Sequence, residues 1–82
     1  MQKSATYTLA GLKLGETAVI ESFTDEKMAL RLIEMGCNPG EVVKINNFAP
    51  LGDPIAIFVS GYLLSLRKQE ASTVIVREIS KD

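Results

Sequence analysis

The chain contains no histidine, no tryptophan and a single cysteine, Cys37, in 82 residues. These absences remove most routes to chemistry. A general acid-base or nucleophilic site is usually built around histidine or an activated thiol. Cys37, in the stretch "GCNPG", has no histidine to take its proton and no run of basic neighbours to lower its pKa. A transition-metal site calls for imidazole, thiolate or clustered carboxylates, whereas Asp25 and Glu26 lie far along the chain from Asp53 and are read as solvated side chains. Neither G-x-x-x-x-G-K-S/T nor G-x-G-x-x-G occurs, so no nucleotide site is expected. The sequence predicts a protein that is not an enzyme, with no metal, no cofactor and an inert, buried Cys37.

An excess of charge is lacking too. Nine basic residues face ten acidic ones, and the basic residues are scattered from Lys3 to Lys81 with only Arg67 and Lys68 adjacent. Phosphate backbones and anionic lipids are met by concentrated positive surface, so neither nucleic acid nor a polybasic membrane anchor is expected. No stretch resembles a secretory h-region or reaches the roughly 20 apolar residues of a membrane-spanning helix, and one cysteine cannot form an internal disulfide. The expectation is a cytoplasmic protein without direct membrane insertion.

What is present is the composition of a folded domain, 46% hydrophobic and 23% charged. A chain this short buries only about 60 to 65% of its unfolded surface, which predicts one domain over 1–82 with an ordered core over about 7–79 and no wide cleft. Met1 to Thr6 are polar and read as a frayed end. "LAGLKLG" then leads into a turn at Gly15. "TAVIESF" (17–23) alternates as a strand, with Val19 and Phe23 on one face and Ala18 and Ile20 on the other.

At Thr24 or Asp25 a capping residue and acidic side chains precede good helix formers, predicting a helix from about Glu26 to Met35. Ala29, Leu32 and Ile33 form its apolar stripe, Met28 and Met35 flank it, and Lys27, Arg31 and Glu34 face water. "GCNPG" reads as punctuation: Gly36 closes the helix, and Pro39 with Gly40 turns the chain into "EVVKIN", where Val43 and Ile45 share a face. After the loop "NFAPLGDP", with Gly52 and Pro54 as turn residues, come "IAIFV", a tight Ser60–Gly61 turn, "YLLSLR", one helical turn in "KQEAS", and a last strand in "TVIVREI". Five short strands and one helix after the first strand predict a mainly β, SH3-like antiparallel barrel, closure being a way to hide strand edges.

In this order, "LAGLKLG", "ALRLIEMGCNPGEVVKI" and "APLGDPIAIFVSGYLLSLRKQEASTVIV" resemble the ferrous iron transport protein A family, FeoA, over roughly residues 9–76. The resemblance implies a small cytoplasmic SH3-like domain that acts with FeoB, a membrane ferrous iron transporter with its own GTP-binding domain. Similar domains occur at the C-terminus of iron-dependent transcriptional repressors, but this sequence has no helix-turn-helix region. The matching positions are Leu9, Leu12, Gly15, Arg31, Leu32, Gly36, Pro39 and Gly40, then Pro50 through Pro54, then Gly61, Leu64, Leu66, Arg67, Glu70 and Ala71. Most are read as architectural. Cys37 departs from the pattern, standing where the family commonly has an aliphatic residue, and a small thiol can do the same packing.

With chemistry excluded, surface contact remains. Phe48 and Leu51 sit in a loop stiffened by prolines, and Tyr62 joins an apolar ring to a polar tip; all three are candidates for docking a partner, or else caps on the barrel ends. Met28 and Met35 are a second candidate surface, or else inward packing. Arg67 and Glu70 are read as a local ion pair fixing the last turn. The functional expectation is an accessory or regulatory protein of ferrous iron uptake that contacts the cytoplasmic part of a FeoB-type transporter. The alternatives are a ferrous-iron-binding sensor or carrier and an oligomerising scaffold, a homo-oligomer being left open.

Overall fold

The computed structural model describes residues 6–79. Apart from Thr6, the stretch read as a frayed end therefore lies outside the described residues. Six strands, β1 (Thr6–Thr8), β2 (Thr17–Phe23), β3 (Val42–Phe48), β4 (Ile55–Val59), β5 (Tyr62–Leu66) and β6 (Val74–Glu78), form one sheet in the order β1-β6-β2-β3-β4-β5. Every pairing is antiparallel. A 3-10 turn, Leu9–Gly11, follows β1; helix α1 (Glu26–Glu34) joins β2 to β3, and the short α2 (Lys68–Ala71) joins β5 to β6.

The mainly β architecture with a helix after the first long strand matches the sequence reading. Two details differ. Thr6–Thr8 adds a sixth strand, which three residues without a hydrophobic period could not announce. The hydrogen-bonded order also ends at β1 and β5 rather than closing into a ring.

One face of the sheet covers the core. Ala18 and Ile20, Val43 and Ile45, then Ile55, Ile57 and Val59, Leu66, and Val74 and Val76 are buried, together with Leu9, Leu12, Leu32, Cys37 and Ala71. Each fully buried aliphatic side chain contributes about 1.5–3 kcal/mol relative to exposure.

Two β-bulges reset the alternation. Between Ile20 and Ser22 the register against β6 shifts, and Phe23 pairs with the buried Val74 and packs against the core. The sequence reading had placed Phe23 with Val19, away from Ala18 and Ile20; Glu21 is the extra residue that inverts the parity. A second shift between Ile45 and Asn47 sets Phe48 opposite the buried Ile55.

Helix α1 begins as its sequence indicates. Oδ1 of Asp25 accepts hydrogen bonds from the Lys27 and Met28 N–H groups, both at 3.0 Å. Its inward stripe is rotated from the expected one. Leu32 is fully buried and Met28 and Met35 pack against the core, while Ile33 is 37% exposed and Leu30 67%. Residues 28, 32 and 35 follow the i, i+4, i+7 spacing as well as the expected set does, so only the position of the sheet selects between them.

Candidate functional site

The loop between β3 and β4, Ala49 to Pro54, is tied at three points. The Ala49 N–H donates to the Pro54 carbonyl at its neck (3.0 Å), and the Gly52 N–H donates to the Ala49 carbonyl across its tip (2.7 Å). Asp53 Oδ1 accepts from the Lys68 N–H at the start of α2 (3.0 Å). These bonds hold Leu51 out in solvent, where it is 95% exposed. Phe48 stands at the base of the same loop, partly covered by the sheet end it shares with Ile55. Phe48, at the end of β3, and Leu51, at the tip of the loop that follows, two of the sequence-predicted contact residues, are thus both accessible. An apolar side chain on a pre-ordered loop loses little conformational entropy on binding.

Tyr62 is placed elsewhere. Its hydroxyl donates to the main-chain carbonyl of Met35 at the end of α1, and the Ser60 hydroxyl donates to the adjacent Gly36 carbonyl (3.0 Å). The β4–β5 hairpin thereby satisfies carbonyls that a helix end leaves open. Gly36 has φ 103°, and a Cβ built there would lie 2.5 Å from the Tyr62 hydroxyl, so this close approach requires glycine. Tyr62 is half-exposed, but its polar tip is committed within the molecule.

Met28 and Met35 are half-buried against the core rather than displayed. The apolar residues that α1 does display are Leu30 and Ile33, which the sequence reading did not select; their i, i+3 spacing was the available signal. Phe58 and Leu63, opposite each other in β4 and β5, are likewise exposed on the outer sheet face. Strict alternation from the buried Ile57 and Val59 would have found Phe58. The predicted turn residues Gly15, Gly36, Gly40, Gly52 and Gly61 all have positive φ, and Pro39 precedes Gly40 in the turn into β3.

The Arg67–Glu70 ion pair is replaced by a different arrangement. Glu70 Oε1 accepts from the Arg67 main-chain N–H (2.9 Å), and Oε2 pairs with the Arg31 guanidinium across from α1 (3.2 Å). Glu70 therefore caps α2 and links it to α1.

Cys37 is fully buried. Burial, and secondarily the charge of Glu41, push its thiol from 9.0 up to about 11, which keeps it protonated and unreactive near neutral pH. Among the described residues, no group of three or more histidine, cysteine or acidic side chains is placed to hold a metal ion. A depression of about 150 Å³ between Tyr7, Leu12, Lys13 and Glu78 is smaller than the roughly 300–1,000 Å³ of small-molecule sites. No helix among the described residues is long and apolar enough to cross a membrane.

The family model of the FeoA domain matches residues 7–78. Among solved structures, a FeoA-like protein from Clostridium acetobutylicum superposes with a TM-score of 0.89 at 29% identity, covering 99% of this chain and 94% of its own. FeoA of Stenotrophomonas maltophilia, complexed with zinc and described as a prokaryotic SH3 domain protein put forward as a ferrous iron transport activating factor, matches at 36% identity. The alignment covers 84% of this chain and 87% of that one, with a TM-score of 0.73. A manganese-dependent transcriptional repressor bound to manganese is similar in fold alone, with a TM-score of 0.83 at 13% identity over 95% of this chain and 39% of its own. No curated protein matches. A family match over nearly the whole described sheet, joined to an SH3-like relative more than one-third identical, leads to one assignment: the chain belongs to the FeoA family.

Proposed function

We propose that this chain is a cytoplasmic, non-enzymatic accessory protein of ferrous iron uptake that docks on the cytoplasmic part of a FeoB-type membrane transporter. The observation that carries this reading is Leu51, 95% exposed at the tip of a loop whose backbone is already hydrogen-bonded in place. A protruding aliphatic side chain with Phe48 at its base suits an apolar pocket on a partner, the arrangement in which a few residues supply most of the binding energy. The membership in a family with a relative put forward as a transport activating factor supplies the setting. Surface contact, with no chemistry of its own, is what the chain brings to the process.

The test is an amide NMR titration of the labelled protein with the soluble GTP-binding domain of the transporter, with and without a GTP analogue. Shifts centred on Phe48, Leu51 and Gly52 are expected. Shifts on Leu30 and Ile33 would keep the role and move the surface to α1. A spectrum unchanged in every nucleotide state would refute docking on that domain.

A further inference from the structure

The end strand β5, Tyr62–Leu66, carries no charged residue, no proline and no bulge, the devices that usually protect a sheet edge. The other end, β1, has three residues among those described. The hairpin fixes which groups of β5 are free. Val59 and Tyr62 flank the two-residue Ser60–Gly61 turn, where φ is positive at both positions (53° and 88°), so they form a hydrogen-bonded pair. Alternation then turns the N–H and C=O groups of Tyr62, Leu64 and Leu66 toward β4, and those of Leu63 and Ser65 outward from the sheet.

We propose that β5 is an edge for strand addition by a second copy of this chain, two β5 strands pairing antiparallel about a two-fold axis through Leu64. In that register Leu63 of one copy faces Ser65 of the other, and each pair exchanges both of its outward hydrogen bonds. Leu64 meets its own counterpart on the core side. On the outer side, the exposed Leu63 and Phe58 of each copy, 56% and 46% accessible, become one apolar strip across the junction.

The outward groups are symmetric about Leu64, which lets an isologous pairing form, and two observations favour a second copy over an unrelated extended peptide. The strand offers no charge by which to select a foreign segment. A formal net charge of −1 per chain sets up little repulsion between copies. Five residues of strand cover much less than the roughly 800 Å² per partner of a stable complex, so the pairing is weak and concentration-dependent.

Sedimentation equilibrium of the isolated protein tests this without the transporter, so its outcome is separate from that of the docking reading. The apparent mass is expected to rise from 8.9 kDa toward double that value as the concentration approaches about 1 mM. Over the same range the Leu63 and Ser65 amide resonances should shift. Ser65→Pro removes an outward donor and no bond to β4, and Leu63→Lys puts a charge on the edge; both variants should stay at the monomer mass. If Ser65→Pro loses its dispersed amide spectrum, Leu63→Lys decides. A wild type that remains monomeric, variants that associate as strongly as it does, or concentration shifts at Leu30 or Leu51 instead would overturn the proposal. So would association of β5 with an added extended peptide in the absence of self-pairing.

Discussion

The Tyr62 hydroxyl donates a hydrogen bond to the main-chain carbonyl of Met35, joining the second strand of the β4–β5 hairpin to the end of a helix 27 residues earlier in the chain. Tyr62→Phe keeps the ring and removes this bond, and is expected to lower stability by about 1 kcal/mol. Tyr62→Ala should cost more, because the ring contacts go as well. Urea unfolding of the two variants separates these contributions; a Phe variant as stable as wild type would show that water replaces the hydroxyl.

Gly36→Ala meets two obstacles, a left-handed backbone at φ 103° and a Cβ position 2.5 Å from the Tyr62 hydroxyl. A loss of about 1–2 kcal/mol from the backbone alone is expected, with displacement of Tyr62 added to it. The same substitution in a Tyr62→Phe background should cost less, since the obstructing oxygen is gone. A double-mutant cycle measures that coupling, and strict additivity would mean the two residues do not interfere.

The Cys37 thiol, held up at about 11 in the folded chain against 9.0 when exposed, makes stability fall at alkaline pH. Between these two values the unfolded chain has released the proton that the folded chain retains, so stability present below pH 9 is lost as pH rises toward 11. The full effect is on the order of 2–3 kcal/mol, and Cys37→Ala should abolish that component. Labelling with a thiol reagent at pH 8 is expected only after unfolding; fast labelling of the native protein would contradict the burial.

Glu70 and Arg31 should differ sharply although they form one ion pair. Arg31 has a side chain 65% exposed, and Arg31→Ala is expected to change stability by about 0.5 kcal/mol or less. Glu70→Ala also removes the acceptor for the Arg67 N–H and should cost about 1 kcal/mol. Thermal unfolding of the pair of variants checks the order.

Leu51→Ala is expected to leave folding stability within about 0.5 kcal/mol of wild type, because so little of the side chain is covered. Its affinity for the transporter domain should fall about tenfold or more. Calorimetric titration distinguishes this from a merely exposed residue, for which both quantities would stay unchanged.

Local physics made much of this protein legible in its sequence. Asp25 ahead of helix formers, the Ser60–Gly61 dipeptide between alternating strands, and the glycines that end α1 and turn the loops each act within a few residues, and each stands where its chemistry indicates. The alternation of Ile55, Ile57 and Val59 was sufficient to assign their burial. Within the candidate site, the sequence left Leu51 open between an exposed contact and a cap on the barrel end, and only the fold sets it 95% exposed.

Other features depended on pairing at long range. One extra residue at Glu21 and one near Asn46 inverted the parity of Phe23 and Phe48, and a bulge has no local signature that two apolar neighbours do not share. The rotation of α1 that buries Met28 and Met35 and exposes Ile33 follows from where the sheet lies beneath it. Tyr62 became a helix cap, and Glu70 the partner of Arg31, only when the fold brought together residues 27 and 39 positions apart. The sequence by itself determined where most elements begin and end, β1 and the far end of β3 excepted, because caps, turns and strand periods are set by neighbouring residues; the tertiary structure alone decided which side each element shows, because that is fixed by contacts between distant ones.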